Sequence, residues 1–275
     1  GHVRAYDAYT GDFKWRFNTI PQNGEPYTET WENDSWQDAG NTNVWTFMSA
    51  DDDEGIVYLP TSTPTNDYWG GKRLGENLFA ESIVALDADS GDRLWHFQTV
   101  HHGLWDYDVA SAPNLVDIVV DGKPIKAIAQ VSKTGFTYVF DRITGEPVWP
   151  IEEREVPQTD APGEWTSPTQ PFPTKPPPFE RQGFTEDDLI DFTPEIKARA
   201  LEAVADYRMG PIFSPPSIID APDGTMGTLS LPSTIGGANW EGGALDPETG
   251  MLYVGSQTNA SILQLIPGGD QSDMD

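Results

Sequence analysis

Ala85-Leu86-Asp87-Ala88-Asp89-Ser90-Gly91-Asp92-Arg93-Leu94-Trp95 is the stretch on which the fold turns. An apolar run ends at an Asp whose side chain can close a tight turn by accepting backbone N–H bonds. Gly takes the positive φ, and the chain returns as a second strand. The unit recurs as Ala5-Tyr6-Asp7-Ala8-Tyr9-Thr10-Gly11, as Val139-Phe140-Asp141-Arg142-Ile143-Thr144-Gly145 and as Ala244-Leu245-Asp246-Pro247-Glu248-Thr249-Gly250. Trp15, Trp95 and Trp149 stand at one offset from their glycines, and Val254 takes that place in the last copy. A Trp at a fixed offset has a fixed place to pack between neighbouring units. The markers at Asp7, Asp87, Asp141 and Asp246 lie farther apart than the roughly 40 to 50 residues of a simple propeller blade, so blades carry insertions or have lost the marker. The expected fold is all-β, with sheets stacked radially around an axis.

Composition narrows the function. The chain has 275 residues, with 16 Lys plus Arg against 44 Asp plus Glu and a formal charge of −28. Such a charge repels polyanions and speaks against nucleic acid or an anionic lipid surface as partner. No run approaches the roughly 18 to 20 apolar residues of a membrane span. Cysteine is absent, which removes disulfides, thiolate metal sites and Cys nucleophiles. The chain opens on Gly1 and enters a strand at once, so a partial chain is expected, with any targeting segment upstream. Residues 1–275 are read as one partial propeller domain carrying two decorations. One is a proline-rich insertion over 157–179, expected to be extended. The other is a helix over about 194–207, with Thr193 as N-cap and Pro194 at its first position.

Chemistry concentrates in His101-His102-Gly103-Leu104-Trp105-Asp106-Tyr107-Asp108. A carboxylate flanked by Trp and Tyr is partly desolvated and suited to act as a general base; a polar turn capped by Asp is the alternative. A His-His-x4-Asp metal site is disfavoured, because adjacent strand residues point to opposite faces. Lys133 follows an apolar run and could aim its charge at a developing oxyanion, or be a solvated turn residue. Trp45 offers a flat face to a planar ligand or to the core. Gly236-Gly237-Ala238-Asn239-Trp240 lets the backbone approach something closely.

Together these segments resemble the pyrroloquinoline-quinone (PQQ) dehydrogenases, most of all the membrane-type quinoprotein glucose dehydrogenase branch. The likeness runs through Val3 to Phe17, Tyr58-Leu59-Pro60 to Arg73, Phe97 to Asp108, Lys133-Thr134-Gly135, Ser167 to Pro171 and Gly236 to Trp240. It implies part of an eight-bladed quinoprotein β-propeller with tryptophan-docking repeats. It also implies a PQQ cofactor with Ca2+ or Mg2+, a sugar or polyol substrate, and electrons passed to ubiquinone or a cytochrome. By the resemblance, Asp106 takes the substrate proton while hydride passes to the quinone. Lys133 bonds the quinone oxygens, Trp45 is the stacking floor, and Asn239 binds a polar cofactor edge. Thr65 lies near cofactor and metal, and Asp108 is the rival or partner of Asp106. The branch places the protein in the periplasm, with any inner-membrane anchor in a segment outside this chain. The absent Cys pair favours the sugar or polyol branch over the alcohol branch, whereas Gly103 stands where glucose enzymes often carry Asp. The isolated chain is expected to be inactive. A non-catalytic propeller scaffold of the outer-membrane assembly type is the competing expectation.

Overall fold

The computed structural model describes residues 1–219 and 221–269. Strands β1 (His2–Tyr6) and β2 (Phe13–Asn18) form a hairpin. An antiparallel four-stranded sheet follows, built in order from β3 (Ser49–Asp51), β4 (Ile56–Pro60), β5 (Ser82–Asp87) and β6 (Arg93–Gln98). Next come β7 (Asn114–Val120), β8 (Lys123–Val131) and β9 (Thr137–Asp141) in a three-stranded sheet. The insertions contribute β10 (Ile151–Glu155) paired with β11 (Thr169–Pro173), and β12 (Gly183–Phe184) paired with β13 (Gly210–Pro211). Strands β14 (Ser217–Ile218) and β15 (Thr228–Ser230) flank the last strand, β18 (Ser261–Leu265). Between them in sequence, β16 (Gly243–Asp246) and β17 (Met251–Val254) form a hairpin.

Strand β5 shows why these sheets stack. Its run Ile83-Val84-Ala85-Leu86 is apolar throughout because both faces are covered. Ile83 and Ala85 join a core with Tyr58, Trp95, Ile128, Tyr138 and Phe140, between the four- and three-stranded sheets. Val84 and Leu86 face the first hairpin through Val3, Trp15 and Phe17. Beyond the three-stranded sheet, Ala127, Ala129 and Val139 meet Trp149 and Leu252 of β17. Successive copies of the repeat therefore lie face to face as a propeller arc.

The repeat's turn forms as its residues dictate. Asp7, Asp87 and Asp141 each accept backbone N–H bonds two and three residues on through one carboxylate oxygen, and the following glycines all have φ 78°. Trp15 donates its indole N–H to Ala88 O at 2.9 Å and Trp95 to Arg142 O at 3.1 Å. A β-carbon built on Gly91 or Gly145 would lie 2.6 Å from Trp15 Cδ2 or Trp95 Cδ2, respectively, so each indole rests on the next copy's glycine. Trp149 does not repeat this, since nothing lies within 4 Å of a β-carbon on Gly250. Pro147 and Pro150 bracket it and cannot donate to a ladder, leaving Val148 N to Val139 O as the local tie. A further turn of the same kind, Asp51 to Gly55, joins β3 and β4: Asp51 Oδ1 accepts from Asp53 N and Glu54 N.

Helix α1 spans Pro194–Val204 with Thr193 accepting from Ile196 N, shorter than the expected end at 207. Asp206 O and Arg208 N are drawn sideways into bonds with Met226 N and Gly227 O, which ends the helical ladder. The proline-rich insertion is in part a strand, with Pro171 and Pro173 in β11 at the edge of its sheet, where a missing donor is tolerated. Among the described residues no helix is long and apolar enough to cross a membrane.

Candidate functional site

Asp106 sits on an irregular arm between β6 and β7. Its neighbours in sequence plunge into the core: Trp105 donates to Ser214 O at 2.7 Å and Tyr107 to Pro232 O at 2.6 Å. Their rings lie nearly parallel, and both meet Phe213 edge-on. With both flanks anchored, Asp106 takes φ 57°, a left-handed conformation that Asp tolerates better than bulkier residues. The sequence expectation that Trp105 and Tyr107 desolvate Asp106 thus gains a mechanical side, since they hold the arm from below.

Lys133 comes from the turn after β8. Its ammonium lies 2.9 Å from Asp108 Oδ2 and 3.2 Å from Asp106 Oδ2, and its side chain is 5% exposed. The close approach foreseen for Gly236-Gly237 is to this lysine: a β-carbon on Gly236 would lie 2.6 Å from Lys133 Cβ, and Gly237 N donates to Lys133 O. Asp108 has both oxygens engaged, because its Oδ1 accepts from Thr63 N at 2.6 Å while Oδ2 takes the lysine. Asp106 has the lysine on one oxygen only and keeps 23% of its side chain exposed. Burial, then the charge of Asp108, push its proton affinity up against the pull of Lys133, to a pKa of about 7. Burial works against the charge on Lys133, but Asp108 and Asp106 outweigh it and hold its pKa above the ordinary value.

The other sequence candidates are placed around this centre. Ser62 and Asn43 are stitched by Ser62 Oγ to Asn43 Oδ1 at 2.8 Å and Ser62 N to Asn43 O at 3.0 Å. The segment leading to Trp45 therefore runs along the stretch that holds Asp108, and Trp45 itself is 43% exposed. Thr65 lines a cavity of about 420 Å³ with Ser35, Asp38, Trp69 and Arg73. Asn239 spends its amide within its own loop, donating to Ile235 O and accepting from Trp240 N. His101 and His102 part company: His101 meets Gln98 and Glu153, while the buried His102 meets Gly75 O and Glu164.

Several supports have roles that composition and spacing do not reveal, although Gln170 and Arg73 fall within the segments of family likeness. Gln170 clamps the backbone of His101 from both sides, accepting from its N–H and donating to its carbonyl. Arg73, wholly buried, donates to Asn77 Oδ1, Asn66 O and Gly103 O, and Glu81 lies buried beside Gly103.

An ammonium has three N–H donors, and two of those of Lys133 go to carboxylates, leaving one without an acceptor among the described residues. That donor and the open edge of Asp106 suit a cofactor bearing acceptor oxygens. For a divalent cation the fit is thin. Among the described residues no group of three or more His, Asp and Glu side chains is gathered to hold one.

Comparison with known proteins bears on the family and the fold. Quinate/shikimate dehydrogenase (quinone) of Acinetobacter baylyi is 33% identical over 97% of this chain and 32% of that protein. Quinoprotein glucose dehydrogenase of Escherichia coli is 33% identical over 100% of this chain and 33% of that protein. The chain thus spans about a third of the length of the curated relatives it matches. In fold, a quinohemoprotein alcohol dehydrogenase from Pseudomonas putida HK5 matches with a TM-score of 0.66 at 24% identity, covering 100% of this chain and 35% of that one. The model for the PQQ glucose/ethanol/alcohol dehydrogenase β-propeller domain matches residues 1–275, and by that match over its whole length the chain belongs to this family.

Proposed function

We propose that this chain is the base-bearing arc of a PQQ-dependent dehydrogenase that oxidises a hydroxyl of a sugar or polyol. The observation that carries the reading is the asymmetry of two carboxylates on one lysine. Asp108 is held at both oxygens, while Asp106 keeps an open edge and a pKa of about 7, suited to accept a proton near neutrality. The names of its relatives, for quinate or shikimate and for glucose, support a polyhydroxylated substrate.

The quinone, when bound, supplies the two-electron acceptor that side chains lack. Asp106 takes the proton of the substrate hydroxyl at its exposed oxygen. Asp108, held by Thr63 N and Lys133, keeps the lysine directed at the site. Lys133 offers its remaining N–H to an acceptor oxygen of the cofactor and stabilises negative charge there. Trp45 provides a face for stacking. Asn239 reaches a polar cofactor edge only if it gives up a bond within its loop. Thr65 would be this chain's oxygen donor near a Ca2+ or Mg2+ ion. Delivery of electrons to ubiquinone or a cytochrome, and a periplasmic location, complete the proposal.

The test is reconstitution of the full-length protein with PQQ and Ca2+ or Mg2+, followed by dye-linked oxidation of glucose, other aldoses, polyols and primary alcohols. Turnover of sugars or polyols is expected, and preference for primary alcohols would move the protein to the alcohol branch. Asp106→Asn should retain the cofactor and lose turnover. Unchanged turnover would remove Asp106 from the mechanism.

A further inference from the structure

Glu81 is a buried carboxyl that the mechanism above leaves unused. It is fully buried, and neither carboxyl oxygen has a hydrogen-bond partner. Its backbone is pinned at φ 47° by a bond from its N–H to Ser62 O and by bonds from Thr99 N and Thr99 Oγ1 to its carbonyl. An unpartnered buried carboxyl is costly, so its position calls for a reason.

Gly103 supplies one. A β-carbon on Gly103 would lie 1.7 Å from Glu81 Oε2 and 2.3 Å from Glu81 Cδ, so the Glu81 carboxyl occupies the volume that a side chain at 103 would fill. Arg73 Nη2 holds the Gly103 carbonyl at 2.6 Å and the Asn66 carbonyl at 2.7 Å, and its Nε is left unpartnered. Gly103 is thus set between a guanidinium on its carbonyl and a carboxyl against its α-carbon, three residues ahead of Asp106.

We propose that Glu81 is a positioning residue for Asp106: positions 81 and 103 share one buried carboxyl place beside Arg73, filled here from residue 81, and its filling sets where the Gly103–Asp108 arm rests. The kinetic part of this inference rests on the dehydrogenase reading; the structural part does not. The charges that act on Glu81 are Asp108 and Asp106, which disfavour its ionisation, and Arg73 and Lys133, which favour it. Burial dominates, and its pKa is pushed up to about 8. Between the pKa values of Asp106 and Glu81 the arm carries an ionised base beside a neutral Glu81. Above them Glu81 adds a further buried negative charge.

The experiment compares Gly103→Asp, Glu81→Ala, the double variant and Glu81→Gln in the full-length protein, by thermal unfolding from pH 6 to 9 and by kcat against pH. Gly103→Asp alone should lower the unfolding midpoint or fail to accumulate as soluble protein. The double variant, with one carboxyl again in one place, should recover most of that loss. A carboxyl with a raised folded pKa contributes stability below the ordinary carboxylate range and loses it as pH rises through the folded value. Glu81→Gln should therefore exceed the parent by a margin that widens from pH 6 to about pH 8 and is level above it, and should keep the kcat that the parent loses above about pH 8. Glu81→Ala should lower kcat by up to about 100-fold, the scale of a misplaced catalytic group, with rescue by the second substitution. The proposal is overturned by a Gly103→Asp protein as stable as the parent, by a double variant no better than Gly103→Asp, or by a Glu81→Gln stability profile parallel to the parent's. If the parent turns over none of the substrates, the dehydrogenase reading fails, and the stability comparisons still decide whether the two positions share one place.

Discussion

Replacing Gly145 by Ala, with Gly250→Ala as its internal control, measures how much the docked tryptophan contributes. Both glycines close the same repeat turn at positive φ, 78° and 69°, so each substitution carries the left-handed penalty of about 1–2 kcal/mol. They differ in what the new β-carbon meets. At Gly145 it would lie 2.6 Å from Trp95 Cδ2 and 2.7 Å from Cγ, whereas at Gly250 nothing lies within 4 Å. Trp95 cannot retreat easily, because it is buried between Tyr58 and Phe140 and tied to Arg142 O. Forcing a methyl into such a contact costs about 1–3 kcal/mol, and drawing the indole N–H off its carbonyl adds about 1 kcal/mol. Gly145→Ala should therefore lose about 2–4 kcal/mol more than Gly250→Ala. Denaturant unfolding of the full-length protein reads the difference, and equal losses would refute the docking argument. Gly91→Ala should fall between the two, since its contact is Trp15, a less buried indole.

Lys133→Met removes the cation shared by two carboxylates, so Asp106 should bind its proton more tightly. The rise of kcat/KM with pH, expected near 7 in the parent, should move to higher pH and leave a large deficit at neutrality, measurable by steady-state rates across pH. An unmoved limb would mean that Asp106 does not feel the lysine. Arg142→Ala strips Asp51 of the guanidinium at 2.5 Å and leaves a buried carboxylate unpaired; a loss of about 3–5 kcal/mol in unfolding free energy is expected. His102→Phe should destabilise the insertion by leaving Glu164 without its ring partner, and limited proteolysis around residues 157–168 should then accelerate relative to the parent.

The repeat was legible because everything it needs is local. Asp closes the turn, Gly takes the φ, and Trp stands at a set offset. Where one of these residues is absent the signal fades although the turn persists, as from Asp51 to Gly55, where Leu59 stands at the Trp offset. Where they are present the outcome still depends on neighbours. Trp149 has the right offset, but prolines on both sides remove the ladder that would carry it to the next turn. The grouping of Asp106, Asp108 and Lys133 came from resemblance rather than spacing, since lysine and arm meet only across the interior. Glu81 and Arg73 were beyond reach for the same reason. Their meaning lies in the volume over Gly103 and in carbonyls from two loops, neither of which periodicity encodes.

Two aspartates two residues apart on one arm show how the fold can assign different chemistry to one side chain. Each faces the same ammonium at nearly the same distance, so the lysine cannot be what separates them. The difference is the second oxygen. That of Asp108 receives Thr63 N at 2.6 Å and is held in place by it. That of Asp106 opens outward from a buried root, where desolvation disfavours the charge and no donor answers it. Converting Asp108 to Asn should disturb Thr63 and the lysine but leave a base in place, whereas converting Asp106 removes the group that can exchange a proton. The arm places the anchored carboxylate toward the interior and the partly exposed one toward the opening, and it is the loop at Thr63, after β4, that anchors the first.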